Sequence, residues 1–191
     1  MKTLFLSLAF VVLSSILMAQ TSERRGYIGL SMGPAFPLVD AYTSAPIDVV
    51  ARTGTTLIVI NFGYCIGRNY GITGSSMGVK FRVDVGDSFI KVTYGGLMGG
   101  PFFTYALGER VDFDVKAMIG LVSTKLYLND AQGKTTSGLG YAFGTGIRYS
   151  FAKKWCVLLY GDYIAGNPLN SEERINMASI AISAGVAYRL K

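Results

Sequence analysis

The segment Gly138–Asp162 decides the fold, because it holds two strand patterns joined by a short turn. Its centre, Tyr141–Phe151, reads YAFGTGIRYSF, with large apolar side chains at positions 141, 143, 147, 149 and 151. Small, polar or charged residues stand between them, and successive side chains of a strand point to opposite faces. One face of this strand is therefore bulky and apolar, whereas the other carries two glycines and Arg148.

The second strand of this segment follows the basic turn Ala152–Lys154. One of its faces carries Trp155, Val157, Leu159 and Tyr163, and the other carries Cys156, Leu158, Tyr160 and Asp162. Aromatic residues at the strand ends, apolar residues between them and a second, more polar face are typical of strands in a membrane β-barrel. The hairpin therefore predicts a small transmembrane barrel.

Six further segments show strand patterns: Gly26–Phe36, Thr55–Gly67, Tyr70–Arg82, Ser88–Thr104, Val111–Thr124 and Asn176–Leu190. With the hairpin they make eight strands, and an even number lets the sheet close without exposed edges. The sequence thus predicts an all-β fold, an eight-stranded antiparallel up-and-down transmembrane β-barrel. We expect its short turns in the periplasm and its long connections, at 37–54, 125–135 and 165–175, outside the cell.

We assign the lipid-facing side of each predicted strand from the size of its side chains. In Thr55–Gly67 we assign Ile58 and Ile60 to the lipid side and Val59 to the lumen, and in Ser88–Thr104 we assign Val92, Tyr94 and Phe102 to the lipid side. The pattern of Tyr70–Arg82 is weak, because its apolar face switches near 74–78, which indicates a bulge.

The first residues resemble an export signal. Met1–Thr3 is a short basic start, and the apolar run from Leu4 to Met18 is short for a spanning helix. We expect residues 1–19 to be a signal peptide cleaved after Ala19, and 20–191 to be the barrel domain. An uncleaved membrane anchor is the alternative. Export and a barrel together predict the cell outer membrane as the location.

Composition excludes several function classes. The formal charge is +6, but lysine and arginine are dispersed, so nucleic acid is not an expected partner. A mean hydropathy of +0.37 and 24 glycines without a spanning helix after residue 20 favour a membrane barrel over a soluble domain. The chain has no histidine, the usual general base of hydrolytic barrels. We therefore expect no enzyme, no cofactor and no metal site.

The two cysteines, Cys65 and Cys156, fall on predicted strands two and seven, which are not neighbours. A disulfide needs Cα atoms within about 7 Å. This placement disfavours a bridge, although an exported chain permits one.

The lumen of an eight-stranded barrel is just wide enough to be filled by side chains. The residues expected to point inward include Asn61, Lys91, Asp112, Asp114, Lys116, Arg148, Asp162 and Arg189. Buried charges must be paired, and counting from the turns predicts that Arg148 meets Asp112 and Asp114. Lys116 and Asp162 would form a second pair higher in the lumen. This charge cluster either fixes the packing of a closed barrel or gates a narrow ion path.

Aromatic residues gather near the predicted short turns, and we expect them to form an interfacial girdle, with a ligand cage as the alternative. They are Tyr64, Phe102, Tyr149, Phe151, Trp155 and Tyr188. Nearby cations at Arg68, Arg110, Lys153 and Lys154 could contact lipid phosphates or simply be solvated.

Three motifs carry a resemblance to a known family. They are the run GGLMGGP at 95–101, the hairpin around Lys153–Trp155, and the final strand with Gly185, Tyr188 and Leu190 in the spacing Gly-x-x-Φ-x-Φ. The chain resembles the OmpA-like and OmpX-like eight-stranded barrels, especially the outer membrane protein beta-barrel domain proteins common in Bacteroidetes. The resemblance implies that the final strand is an assembly signal recognised by the barrel-assembly machinery. Ala184 before the glycine and Lys191 at the end depart from the usual signal.

The function predicted is that of a small outer membrane barrel with a structural role or an interaction through its external loops. Its expected partners are outer-membrane lipid, the assembly machinery and an unidentified loop ligand. A soluble lipocalin-like barrel that binds an apolar ligand and a narrow ion-conducting pore are the alternatives.

Overall fold

The computed structural model describes residues 26–38, 49–85, 88–128, 131–167 and 177–190. These residues form nine strands: β1 Gly26–Leu38, β2 Val49–Ala51, β3 Gly54–Cys65, β4 Tyr70–Val85, β5 Ser88–Ala106, β6 Val111–Leu128, β7 Ala131–Ser150, β8 Trp155–Asn167 and β9 Met177–Leu190. The predicted signal peptide, 1–19, lies outside the described residues. No helix among the described residues is long and apolar enough to cross a membrane.

The strands close into a single barrel in which every neighbouring pair is antiparallel. The order is β4-β3-β1-β9-β8-β7-β6-β5, and pairing of β4 with β5 completes the circle. The three-residue strand β2 pairs with β4 beyond the start of β3, so β2 and β3 occupy one position of the barrel. The predicted eight-stranded up-and-down barrel is therefore confirmed.

The two ends of the barrel differ. Gly26 pairs with Leu190 at the end that also holds the turns 66–69, 107–110 and 151–154, here called the short-turn end. The opposite end of the barrel is here called the long-loop end. β4 to β7 extend towards it and are 16, 19, 18 and 20 residues long, more than the roughly 9–11 that a spanning strand needs. The predicted polar connection at 125–135 is wrong, because β6 runs to Leu128 and β7 begins at Ala131. Backbone ladder bonds continue there whatever the polarity of the side chains.

The outer surface is apolar. Leu97, Leu121 and Val59 are 67%, 70% and 60% exposed, and the hairpin residues Phe143 and Ile147 also point outward. Arg148 and Asp114 are buried inside. A soluble lipocalin-like barrel would show the reverse arrangement, so the exposure pattern contradicts that alternative.

The lumen is filled by two layers of side chains. The half near the short-turn end contains the charged residues together with a smaller hydrophobic cluster, which consists of Tyr27, Phe102, Cys156, Leu158, Tyr160 and Ala187. The other half, here called the apolar layer, contains Ile58, Met77, Val79, Phe81, Val83, Val92, Tyr94, Met98, Met118, Val122 and Ile164. This second layer was not predicted from the sequence, because the more polar face of each strand was expected to line the lumen.

A bulge in β3 corrects one predicted face. The register with β4 shifts between Ile58 and Ile60, so that Val59 and Ile60 both point outward. Ile58 is fully buried in the lumen, whereas it was predicted to face lipid. The extra residue of a bulge reverses the alternation on one side of it. The bulge predicted in β4 is wrong, because β4 pairs with β5 without interruption from Tyr70 to Val85.

The faces of β5 are also opposite to those predicted. Val92, Tyr94, Met98 and Phe102 are buried in the lumen, while Leu97 and Phe103 point outward. Lys91, predicted to be inward, therefore lies on the outer face, where its Nζ atom is 5.3 Å from the Phe89 ring centroid. Both faces of β5 carry large apolar residues, so residue size alone could not tell them apart.

Candidate functional site in the barrel lumen

Strands β6 and β7 place the first ion pairs of the lumen. Asp112 and Arg148 are direct cross-strand partners, and both side chains point inward. The Arg148 Nη2 atom lies 3.2 Å from Asp112 Oδ2 and 3.4 Å from Asp114 Oδ1. It also donates a hydrogen bond of 3.2 Å to Thr104 Oγ1. One guanidinium therefore serves two carboxylates, as its forked donors allow.

Two buried tyrosines complete this group. The Tyr160 hydroxyl donates to Asp114 Oδ2 at 2.5 Å and lies 3.0 Å from the Tyr27 hydroxyl. The Arg148 guanidinium carbon stands 4.6 Å from the centre of the Tyr27 ring, within the range of a cation–π contact. Tyr160 thus supplies a hydrogen bond to Asp114, and Tyr27 supplies the face of its ring to Arg148.

The second ion pair lies farther from the short-turn end. Lys116 Nζ is 3.0 Å from Asp162 Oδ1, and both side chains are at most 1% exposed. The lysine nitrogen also lies 4.4 Å from the centre of the Tyr160 ring. Lys116 is on β6 and Asp162 on β8, so the two side chains must meet across the intervening strand β7.

Glycines of β7 make these meetings possible. Gly144 is the cross-strand partner of both Lys116 and Asp162, and a Cβ atom there would lie 2.0 Å from Asp162 Oδ1. Gly146 has the same place between Asp114 and Tyr160, where a Cβ atom would lie 2.4 Å from a Tyr160 ring carbon. Each glycine therefore leaves space for the side chains of the two flanking strands to touch above it.

The five charged residues form a cluster of three acids and two bases, to which Thr104 and Tyr160 add hydrogen bonds. Each acid lies within 3.4 Å of a base, and all five residues are at most 4% exposed. A buried pair adds little net stability, but loss of one partner is expensive because the other charge remains buried. The ion pairs of the cluster connect β6, β7 and β8.

The remaining predicted lumen residues are dispersed. Asn61 is fully buried, but Arg189 lies at the short-turn rim, where it donates to the Lys153 carbonyl at 3.4 Å. Cys65 on β3 and Cys156 on β8 are free thiols, separated by strands β1 and β9.

The structure places most residues of the predicted girdle on the outer surface near the short turns. Tyr64, Tyr149, Phe151, Trp155 and Tyr188 are 36–52% exposed, and Trp155 packs edge-on against Tyr188 at 5.6 Å. Phe102 does not belong to this set. It is 1% exposed and contacts Tyr27 inside the lumen, because β5 presents its even-numbered residues inward.

The predicted assembly-signal residues all lie on β9. Tyr188 points outward, and Gly185 pairs with Ser31 of β1, where a Cβ atom would meet the Leu30 carbonyl at 2.0 Å. Leu190 pairs with Gly26 and so closes the barrel at the short-turn end.

Sequence reasoning missed Tyr27, Tyr160, Gly144 and Gly146 as parts of the site. The available signal was the spacing of Gly144 and Gly146 on the inward face of β7, level with charged residues on β6 and β8. From the sequence, these glycines were interpreted only as small residues on the second face of the strand, beside Arg148.

Comparison with known proteins agrees with the barrel geometry. No protein-family model and no curated protein sequence matches the chain. The fold is similar to that of Neisserial surface protein A, with a TM-score of 0.63 and 14% identity over 86% of this chain and 97% of the other. It is also similar to Ail, the attachment invasion locus protein of Yersinia pestis, with a TM-score of 0.50 and 18% identity over 87% and 99%. The chain thus has the fold of small eight-stranded outer membrane barrels.

Proposed function

We propose that the chain is a small outer membrane protein without catalytic activity, which acts structurally or binds a partner through its external connections. The observation that carries this proposal is the sorting of side chains. Apolar residues cover the outside, and paired charges and the apolar layer fill the lumen. A filled lumen gives no wide path for solutes, which leaves the long-loop end as the surface available to partners.

The proposal includes a route to the membrane. Residues 1–19 would be removed after Ala19, and the assembly machinery would recognise Gly185, Tyr188 and Leu190 on the final strand. The finer assignment to the Bacteroidetes-type barrel-domain family belongs to this proposal as well. Determining the N-terminal residue of the protein isolated from outer membranes tests the cleavage site, and a chain beginning before Gln20 contradicts it.

The membrane location is tested by substituting one lipid-facing residue. Leu121 is 70% exposed in the middle of β6, and Arg at the bilayer midplane costs about 2–4 kcal/mol in a barrel. Leu121→Arg should reduce the share of protein that shows folded, heat-modifiable mobility in the outer membrane fraction. Thr135→Arg is the matched control, because Thr135 is exposed near the long-loop end, beyond the apolar surface.

A soluble barrel gives the opposite result. In that case the wild-type protein would fractionate without detergent, and Leu121→Arg would leave its folded share unchanged. Either observation would overturn the proposed location.

A further inference from the structure

Five cations gather on the outer face of the barrel towards the long-loop end. This basic patch consists of Arg52, Lys80, Arg82, Lys91 and Lys125. Strand register arranges it in two rows: Lys80, Thr93 and Lys125 are neighbours across β4, β5 and β6, and Arg82, Lys91 and Tyr127 are neighbours in the next row. Arg52 joins the second row through a 2.9 Å backbone bond to the Arg82 carbonyl.

The patch begins where the apolar surface ends. Lys80 comes ten residues after Tyr70, which lies at the short-turn end of the same strand, and a spanning strand has about 9–11 residues. Below the lysine row, the outer face carries Leu57, Leu97 and Leu121, all exposed. The cations therefore lie at the level expected for lipid headgroups, directly above the surface that would contact acyl chains.

Contacts within the patch hold its arginines in place. Asp84 accepts hydrogen bonds of 2.5 Å from both Arg52 Nε and Arg82 Nε. The Phe89 ring packs 4.2 Å from the Arg82 guanidinium carbon. The arginine side chains nevertheless stay 65% and 46% exposed, so their remaining donors face outward. Among the described residues, Asp84 is the one carboxylate on this face, against five cations.

The patch offers donors of two kinds to an anion. Arg82 and Lys91 are direct cross-strand partners on one face, so an arginine and a lysine lie side by side. Arginine binds a phosphate with two parallel donors, and lysine binds it as a point charge.

We propose that the basic patch binds the phosphate groups of a phosphorylated lipid in the outer leaflet. This inference rests on the outer membrane location proposed above. A lipid fits better than a free phosphate because the patch lies on the lipid-facing side and continues the apolar surface. Acyl chains on Leu57 and Leu97 would bring a headgroup phosphate to the height of Lys80 and Arg82.

The test compares two quadruple variants of the full barrel in neutral detergent micelles. The first is Lys80→Gln/Arg82→Gln/Lys91→Gln/Lys125→Gln. Its matched control is Arg68→Gln/Arg110→Gln/Lys153→Gln/Lys154→Gln, which removes four exposed cations at the short-turn end. Binding of lipid A with both phosphates, and of lipid A with its phosphates removed, is measured by thermophoresis. Heat-modifiable mobility and membrane fractionation confirm that each variant is a folded, membrane-located barrel.

The patch variant should bind bisphosphorylated lipid A at least about tenfold more weakly than wild type, as expected when charged hydrogen bonds are lost. The control variant should bind bisphosphorylated lipid A as tightly as wild type does. Wild type should bind lipid A without its phosphates more weakly, by a similar factor. Equal weakening in both variants, or no weakening in the first, would overturn the proposal. Displacement of the lipid by equimolar inorganic phosphate would overturn the lipid as the source. A folded, membrane-located variant without a binding defect refutes only this inference and leaves the proposed function standing.

Discussion

Arg148 is the residue on which the first ion-pair group depends. Its guanidinium contacts both Asp112 and Asp114, so Arg148→Met leaves two buried carboxylates without their base. We expect this change to lower the free energy of unfolding by about 3–5 kcal/mol, the usual cost of removing one partner of a buried pair. Urea unfolding in detergent, followed by heat-modifiable mobility, measures it.

The control removes the acids together with the base. The triple variant Arg148→Met/Asp112→Asn/Asp114→Asn should recover much of the loss, because no buried charge then lacks a partner in this group. An unchanged unfolding midpoint in Arg148→Met alone would show that the pairing contributes nothing to stability.

Gly144 offers a second prediction for single residues. In Gly144→Ala the new methyl group would collide with Asp162 and Lys116, and overpacking of a filled interior costs about 1–3 kcal/mol. Gly161→Ala is the matched control, because Gly161 adjoins Asp162 on β8 and the nearest atom to its Cβ position is 4.0 Å away. The difference between their unfolding midpoints isolates the collision, and equal midpoints would refute the role assigned to Gly144.

Ion-pair partners could be predicted from the sequence because β6 and β7 pair without interruption from Val111 to Lys125, the region that holds the charged residues. Counting residues from the turn at 107–110 and the turn at 151–154 places Asp112 and Arg148 at one height, as the register shows. The contact between Lys116 and Asp162 is less accessible to such reasoning. It spans two strand gaps and depends on the absence of a side chain at Gly144, which a polarity pattern does not report.

The elements show where alternation fails as a guide. In β3 one extra residue exchanges the inward and outward positions, and both faces of β3 carry isoleucine or valine there. In the long-loop half of β4 and β5 the inward residues are the more apolar ones, whereas Lys80, Arg82 and Lys91 lie on the outer face. The rule that the polar face of a strand lines the lumen fails there, so only pairing with neighbouring strands determines the faces.

The bulge in β3 predicts two consecutive lipid-facing residues. Spin labels are attached to Val59→Cys and Ile60→Cys, each in a Cys65→Ala/Cys156→Ala background. Oxygen dissolved in the bilayer should enhance the spin relaxation of both labels. The reason is that Val59 and Ile60 are 60% and 46% exposed on the outer surface. A regular strand would hide one of the two labels in the lumen, and such a result would contradict the bulge.

At the scale of the whole molecule, the lumen combines a charged half with an apolar half. The charged half contains the charged side chains that an ion-conducting path would need. The apolar layer covers it on the long-loop side with Met98, Met118, Val122 and their neighbours, all nearly inaccessible to solvent. An apolar constriction blocks ions because water does not wet it. The barrier to conduction would therefore lie in the apolar layer, with the ion pairs serving packing.

This arrangement predicts that the wild-type protein gives no conductance above background in planar bilayers. Arg148→Met should stay closed, because the layer above it is unchanged. Met77→Ser/Met98→Ser/Met118→Ser should show measurable conductance, since three of the larger side chains of the apolar layer become small and polar. Folding of both variants is checked by heat-modifiable mobility. The opposite outcome is conductance that rises in Arg148→Met and stays at background in the methionine variant. That outcome would assign the gate to the ion pairs, because removal of a charge would open the barrel and wetting of the apolar layer would not.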